Sequence, residues 1–103
     1  MASSPYARVA QLTGLPVPSY ARHPYAHTST TTPTTLTGHG NELRSYALPI
    51  ACLFDADGSW LVYDHKSSPT TNRHLSAVRA CLAEAGYQPT DETTGNYRTY
   101  RRS

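Results

Sequence analysis

The sequence is poor in cysteine and has no long apolar run. Its two cysteines, Cys52 and Cys81, form no C-x-x-C pair and are too few for a structural zinc site. Both stand at apolar positions of patterned segments, which favours buried free thiols over a disulfide between them. No stretch approaches the roughly 18 apolar residues of a membrane span, and no run near the N-terminus resembles a secretory signal. We therefore expect a cytoplasmic protein that makes no membrane contact.

Charge is also scarce. With a net charge of +2 over 103 residues, the chain lacks the basic excess of a histone-like or ribosomal protein, and the sign argues against an acidic mimic of DNA. Lys66 is the only lysine, against eight arginines. A GC-rich genome produces such a ratio, and the ratio also suits bidentate recognition of phosphate or carboxylate by guanidinium.

Motifs that would indicate catalysis or a bound cofactor are absent. The sequence has no G-x-S-x-G elbow, no H-E-x-x-H zinc motif and no P-loop. Asp64 and His65 could form an acid–base pair, but neighbours in a strand point to opposite faces. His23 and His27 are four residues apart, yet the proline between them argues against a helix that directs both at one metal ion. The sequence therefore predicts a protein that is not an enzyme and has no metal site and no cofactor.

Apolar residues are concentrated between residues 46 and 85, whereas residues 19–42 are rich in Thr, His and Pro. This contrast predicts two parts, an N-terminal extension over residues 1–42 and a compact domain over residues 43–103.

Inside the extension, residues 4–14 begin with a serine N-cap and a proline and end at a glycine, which predicts a short helix. The Thr-rich residues 27–37 favour a flexible segment, with an edge strand as the alternative. Residues 38–41 are predicted to form a turn.

The strongest strand is predicted over residues 43–54. Strand alternation places five residues on one face, namely Tyr46, Leu48, Ile50, Cys52 and Phe54. A hairpin loop at residues 55–58 then leads to a return strand over residues 60–65.

A helix is predicted from Ser68 to about Ala85, because Ser68 or Thr70 can cap it and apolar residues recur at helical spacing. Residues 91–96 are predicted to form a loop and residues 97–102 a final strand. The sequence thus predicts a small, single α+β domain in which one main helix packs across an antiparallel hairpin or sheet, in the order α-β-β-α-β.

The first candidate site is the start of this helix. Free backbone N–H groups and the helix dipole favour anions there. The candidate anion-binding residues are Lys66, Ser68, Thr70, Thr71, Arg73 and His74. The alternative is that the hydroxyls only cap the helix and that the histidine packs at the edge of its apolar face.

The second candidate site is the basic and aromatic run near the C-terminus. Arginine neutralises phosphate and tyrosine stacks on bases, so the interleaving of the two residue types suits nucleic acid. The candidate residues are Tyr97, Arg98, Tyr100, Arg101 and Arg102. The alternative is a polar edge strand with a solvated tail.

Two stretches carry a resemblance to known sequences. Residues 45–51, SYALPIA, and residues 66–74, KSSPTTNRH, resemble a pattern in small uncharacterised bacteriophage and mobile-element proteins. In that family a SYxTPIA strand is followed by a second strand and a TKYSxTTSxH helix start. The chain departs from the pattern at Leu48, Ser67 and Asn72. The resemblance implies a phage or prophage accessory protein, and it implies no particular activity.

These observations lead to two main hypotheses and a third, more distant one. The first is a phage-type binding module for nucleic acid or a nucleoprotein, which uses both candidate sites. The second is an inhibitor of a host defence protein, because Tyr and Arg are also enriched at protein–protein hot spots. The third is a binder of a small phosphorylated ligand at the helix start. A Thr-rich edge strand could also pair with a second copy and form a homodimer.

Overall fold

An antiparallel sheet of six strands dominates the structure, a computed structural model that describes residues 5–18, 35–54 and 57–102. The strands are β1 (Leu36–His39), β2 (Glu42–Ser45), β3 (Leu48–Phe54), β4 (Ser59–Tyr63), β5 (Tyr87–Thr94) and β6 (Tyr97–Arg102). The helices are α1 (Pro5–Thr13) and α2 (Pro69–Glu84). The strand order across the sheet is β1-β2-β3-β4-β6-β5. The predicted α+β class is confirmed, with more strands than the sequence indicated.

The single strand predicted over residues 43–54 is wrong, because the chain reverses near its start. β2 and β3 pair antiparallel through a turn at Tyr46 and Ala47, and Tyr46 takes a left-handed φ of 58°. The prediction that the alternate residues from Tyr46 to Phe54 share one face of the strand is wrong as well. Tyr46 lies in the turn and is 57% exposed, and Phe54 at the other end is 46% exposed. A continuous apolar run gave no local sign of a turn, since tyrosine rarely adopts positive φ.

Replacing Tyr46 with asparagine is expected to raise the free energy of unfolding by about 0.5–1 kcal/mol, because left-handed backbone is costly for tyrosine and asparagine tolerates it. The exposed tyrosine side chain gives up few contacts. Urea unfolding measures the change. Ala47→Gly in the same turn is the control and should lower stability, since Ala47 has no positive φ for glycine to relieve. Equal losses for both variants would contradict this account of the turn.

Two further predictions fail at the edges of the sheet. Residues 38–41 were predicted as a turn, but β1 extends to His39 and only Gly40 and Asn41 form the turn. Residues 91–96 were predicted as a loop, but β5 continues to Thr94 and turns at Gly95. Both segments are edge strands with mostly exposed side chains, so they lack the apolar alternation that identifies a strand. The predicted flexible residues 27–34 lie outside the described residues.

Local signals fix α2. Ser68 is its N-cap, with its Oγ accepting a hydrogen bond from Thr71 N at 3.2 Å, and Pro69 occupies the first helical position. The helix buries one face in the core, with Leu75, Val78 and Leu82 each no more than 2% exposed.

One apolar core joins the sheet to both helices. It includes Val9 of α1 and Leu36 of β1, which the sequence assigned to an extension, together with Trp60 and Tyr100 of the central strands. Trp60 of β4 pairs with Tyr100 of β6 across the sheet, so both side chains lie on the same face. Leu61, which alternates with Trp60 and is outside this cluster, therefore points to the second face.

Candidate functional site

A cleft of about 370 Å³ lies where β4 ends and the chain crosses to α2. Residues 63–66 form one wall, and Asn72, Leu75 and Arg79 of α2 form the other. The three helical residues fall at i, i+3 and i+7, so one stripe of α2 faces the end of β4. The cleft therefore brings together residues from two elements, of which the sequence had singled out only Lys66 as a site residue.

The crossing segment is held in place by Asn72. Its Nδ2 donates to Ser67 O at 3.1 Å, and Ser67 N donates to its Oδ1 at 3.2 Å. This reciprocal pair, together with the cap at Ser68, fixes the backbone next to Lys66. The wall of the cleft is thus preformed.

No described carboxylate pairs with the two cations of the cleft, Lys66 and Arg79, or with Arg73 in the first turns of α2. Lys66, Arg73 and Arg79 are all exposed, and none forms an ion pair with a described residue. The acidic residue of the cleft wall, Asp64, pairs with Arg98, with Nε–Oδ2 at 3.1 Å. The charges of these three cations are therefore available to an anion.

The arginines of β6, in contrast, have partners within the chain. Arg98 also donates from Nη1 to Thr90 O at 2.7 Å. Arg101 lies 3.4 Å from Asp57 and 2.8 Å from Glu92, and these interactions, first those with Glu92, raise the pKa of its guanidinium. Arg102 stacks over the Tyr87 ring at 4.9 Å. The predicted basic run is therefore largely engaged within the chain.

The two predicted tyrosines of β6 also have partners inside the domain. Tyr100 is 8% exposed and belongs to the core, where burial raises the pKa of its phenol. Tyr97 is half-buried, and its Oη donates to Pro49 O at 2.7 Å. Only part of the Tyr97 ring reaches the surface.

Two predicted residues of the helix start, Thr71 and His74, lie in the interior. Ser45 Oγ is 2.9 Å from Thr71 Oγ1 and 2.8 Å from His74 Nδ1. Burial lowers the pKa of His74, because it disfavours the imidazolium form. All three residues are at most 3% exposed, so this network joins the β2–β3 turn to α2. Ser68 and Thr70 remain at or near the surface, with Ser68 acting as the cap.

Three aromatic rings near the end of β4 contact one another on the face of the sheet opposite α2. The Tyr63 ring centroid is 5.8 Å from that of His65, with the planes tilted by 53°. The Tyr63 ring centroid is also 5.5 Å from the ring centroid of Tyr97, and these two ring planes meet at 70°. Sequence reasoning missed Tyr63, and it considered His65 only as half of an acid–base pair with Asp64.

The described residues hold no group of three or more His, Cys, Asp or Glu side chains that could bind a metal ion. His23 and His27 lie outside that part of the chain. Neither α1 nor α2 has the length and apolar character needed to cross a bilayer.

Comparison with known proteins gives one match. Residues 21–97 match a protein family described as a family of unknown function, DUF8033. No curated protein and no solved structure matches the chain. The matched range contains β1 to β4, α2 and β5, and with them the whole cleft.

Proposed function

The chain belongs to this family of unknown function, and we propose that it is a nucleic-acid-binding module that holds phosphate groups at the cleft between β4 and α2. One observation carries the proposal: Lys66 and Arg79 line the same cleft and neither forms an ion pair with a described residue, while the carboxylate of the cleft wall, Asp64, is paired with Arg98. Arg73 is also exposed on α2, but it does not line the cleft.

The chemistry of these groups suits the binding of phosphate. Arginine binds phosphate in a bidentate manner, and a lysine beside it supplies a compact positive charge. Asn72 does not contribute a free amide, because both of its polar atoms hold Ser67. With two or three phosphate contacts, affinity should be modest, and log affinity should fall with log salt with a slope of only about −2 to −3.

Lys66→Gln and Arg79→Gln are each expected to weaken binding of nucleic acid by about tenfold at low salt and to reduce the slope of log affinity against log salt by about one. Fluorescence polarisation with labelled DNA and RNA at several salt concentrations measures both quantities. The control is Arg8→Gln, which removes the same charge from α1, where Arg8 Nε donates to Leu36 O. If Arg8→Gln weakens binding as much as the cleft variants do, net charge rather than the cleft is responsible.

A small phosphorylated ligand is the second candidate. The cleft volume of about 370 Å³ falls within the range of about 300–1,000 Å³ for small-molecule sites. Such a ligand would raise Tm in a concentration-dependent way. A thermal shift titration with inorganic phosphate and with a nucleoside monophosphate tests this candidate, and no shift at millimolar concentration would rule it out.

Inhibition of a host defence protein stays a prediction, as does the implied phage or mobile-element origin. This hypothesis expects a specific protein partner and only weak binding to naked DNA. Affinity capture from host lysate, with Arg102→Ala as a variant of the Tyr87–Arg102 surface, is the corresponding test.

A further inference from the structure

We infer that the cleft takes a terminal phosphate monoester, namely the phosphorylated end of a nucleic-acid strand, and not the phosphodiesters inside the strand. This inference rests on the proposed function and specifies which phosphate of the nucleic acid the cleft holds. A monoester carries about 1.5–2 negative charges at neutral pH, whereas each phosphodiester carries one. Lys66 and Arg79 bring two positive charges to one cleft, so their number matches the charge of a monoester.

The cations do not continue beyond the cleft as a track for a strand. A groove that follows an internal stretch of single strand binds about 4–16 nucleotides and lines them with positive charge. Apart from Arg73, the remaining described arginines are engaged within the chain by carbonyl oxygens, carboxylates or an aromatic ring: Arg8, Arg44, Arg98, Arg101 and Arg102. The charge available to a ligand is therefore concentrated at the cleft.

The size and shape of the cleft also suit a single end group. Its volume of about 370 Å³ lies near the lower limit of the range of about 300–1,000 Å³ for sites of small molecules. Such a volume holds one phosphate with the nucleotide that carries it, and not a run of nucleotides. Lys66 and Arg79 stand on different walls, so a group with three unesterified oxygens can reach both of them. An internal phosphodiester has two such oxygens and a sugar on either side.

The walls hold both cations in place before a ligand arrives. The Asn72–Ser67 pair fixes the backbone that carries Lys66. On the other wall, Leu75 lies one turn before Arg79 and is only 2% exposed, so this part of the wall is apolar. Attraction between charges is stronger beside an apolar wall than on an open surface, because less water lies between them. A preformed site also loses little conformational entropy on binding.

The test uses one single-stranded oligonucleotide with an internal fluorescent label in three forms, with a 5′-phosphate, with a 3′-phosphate and with hydroxyls at both ends. Fluorescence polarisation at low salt measures the affinities. We expect a phosphate at one of the two ends to tighten binding by about tenfold over the hydroxyl form, the gain that charge-assisted contacts provide. Lys66→Gln and Arg79→Gln should each remove most of this preference. Circular dichroism confirms that the variants are folded.

Arg73→Gln is the matched control, because it removes the same charge from an exposed position of the same helix that does not line the cleft. It should affect the phosphorylated and hydroxyl forms alike and leave the ratio of their affinities unchanged. If Arg73→Gln reduces this ratio as much as Arg79→Gln does, the inference is overturned, because the terminal phosphate is then recognised outside the cleft.

The inference and the proposed function can fail separately. Equal affinity for the three forms, with binding still weakened by Arg79→Gln, would overturn the inference and leave the proposed function intact. Absence of binding to every form would overturn both. Competition with a nucleoside monophosphate distinguishes the two sources of a terminal phosphate, and we expect the phosphorylated strand to bind more tightly. A monophosphate that binds as tightly as the strand would overturn the strand end as the ligand and assign the cleft to a small phosphorylated molecule.

Discussion

Leu82→Ala is expected to lower the free energy of unfolding by about 3 kcal/mol, the largest effect that we anticipate for a single substitution. Leu82 is fully buried in the cluster that joins α2 to the sheet. Truncation to alanine removes apolar contacts and leaves a cavity, which the neighbouring side chains can fill only in part. Since small domains have a total stability of about 5–15 kcal/mol, this variant should unfold at a much lower urea concentration.

Urea unfolding followed by the fluorescence of Trp60, which lies in the same cluster, measures the change. The control is Ser76→Ala on the exposed side of the same helix, which should change stability by less than about 0.5 kcal/mol. If Leu82→Ala costs no more than this control, the described packing of α2 on the sheet is incorrect.

The second large effect is expected at the buried polar network. Ser45→Val should lower the free energy of unfolding by about 2 kcal/mol, because it removes the hydroxyl that meets both Thr71 and His74. Thr71 keeps its contact with Ser68 Oγ at 3.1 Å. His74 Nδ1 loses the partner that the structure gives it and is left in an apolar setting, which is the main source of the cost.

A double-mutant cycle in urea separates this cost from a simple change of packing. In a His74→Leu background, Ser45→Val should cost much less, because the imidazole that would be left unsatisfied is already gone. Additive losses for the two substitutions would show that the hydrogen bond between Ser45 and His74 makes no separate contribution to the free energy of unfolding.

The parts of the fold that the sequence predicted are those set by local signals. The start of α2 follows from Ser68 and Pro69, and its buried face follows from the helical spacing of residues such as Leu75 and Leu82. The turn at Tyr46 was missed because its cause is not local. The backbone accepts a left-handed tyrosine there because β2 and β3 pair on one side of the turn and Ser45 binds to α2 on the other.

The candidate site was predicted in part for the same reason. Lys66 could be found from its place before a helix cap. Arg79 could not, because its approach to the end of β4 depends on how α2 docks on the sheet. The ion pairs of Arg98 with Asp64 and of Arg101 with Asp57 join residues 34 and 44 positions apart, so no pattern along the chain indicated that these charges are engaged.

The position of β6 between β4 and β5 bears on how the chain reaches this fold. Four strand pairings close through turns of two to four residues, whereas the pairing of β4 with β6 spans residues 64–96. Closing a connection of that length costs about 2.5 kcal/mol more in chain entropy than closing a two-residue turn. This one non-local pairing raises the contact order of an otherwise local meander and should set the height of the folding barrier. Early formation of α2 lowers that barrier, because a helix shortens the flexible chain that must be closed before Trp60 and Tyr100 can meet.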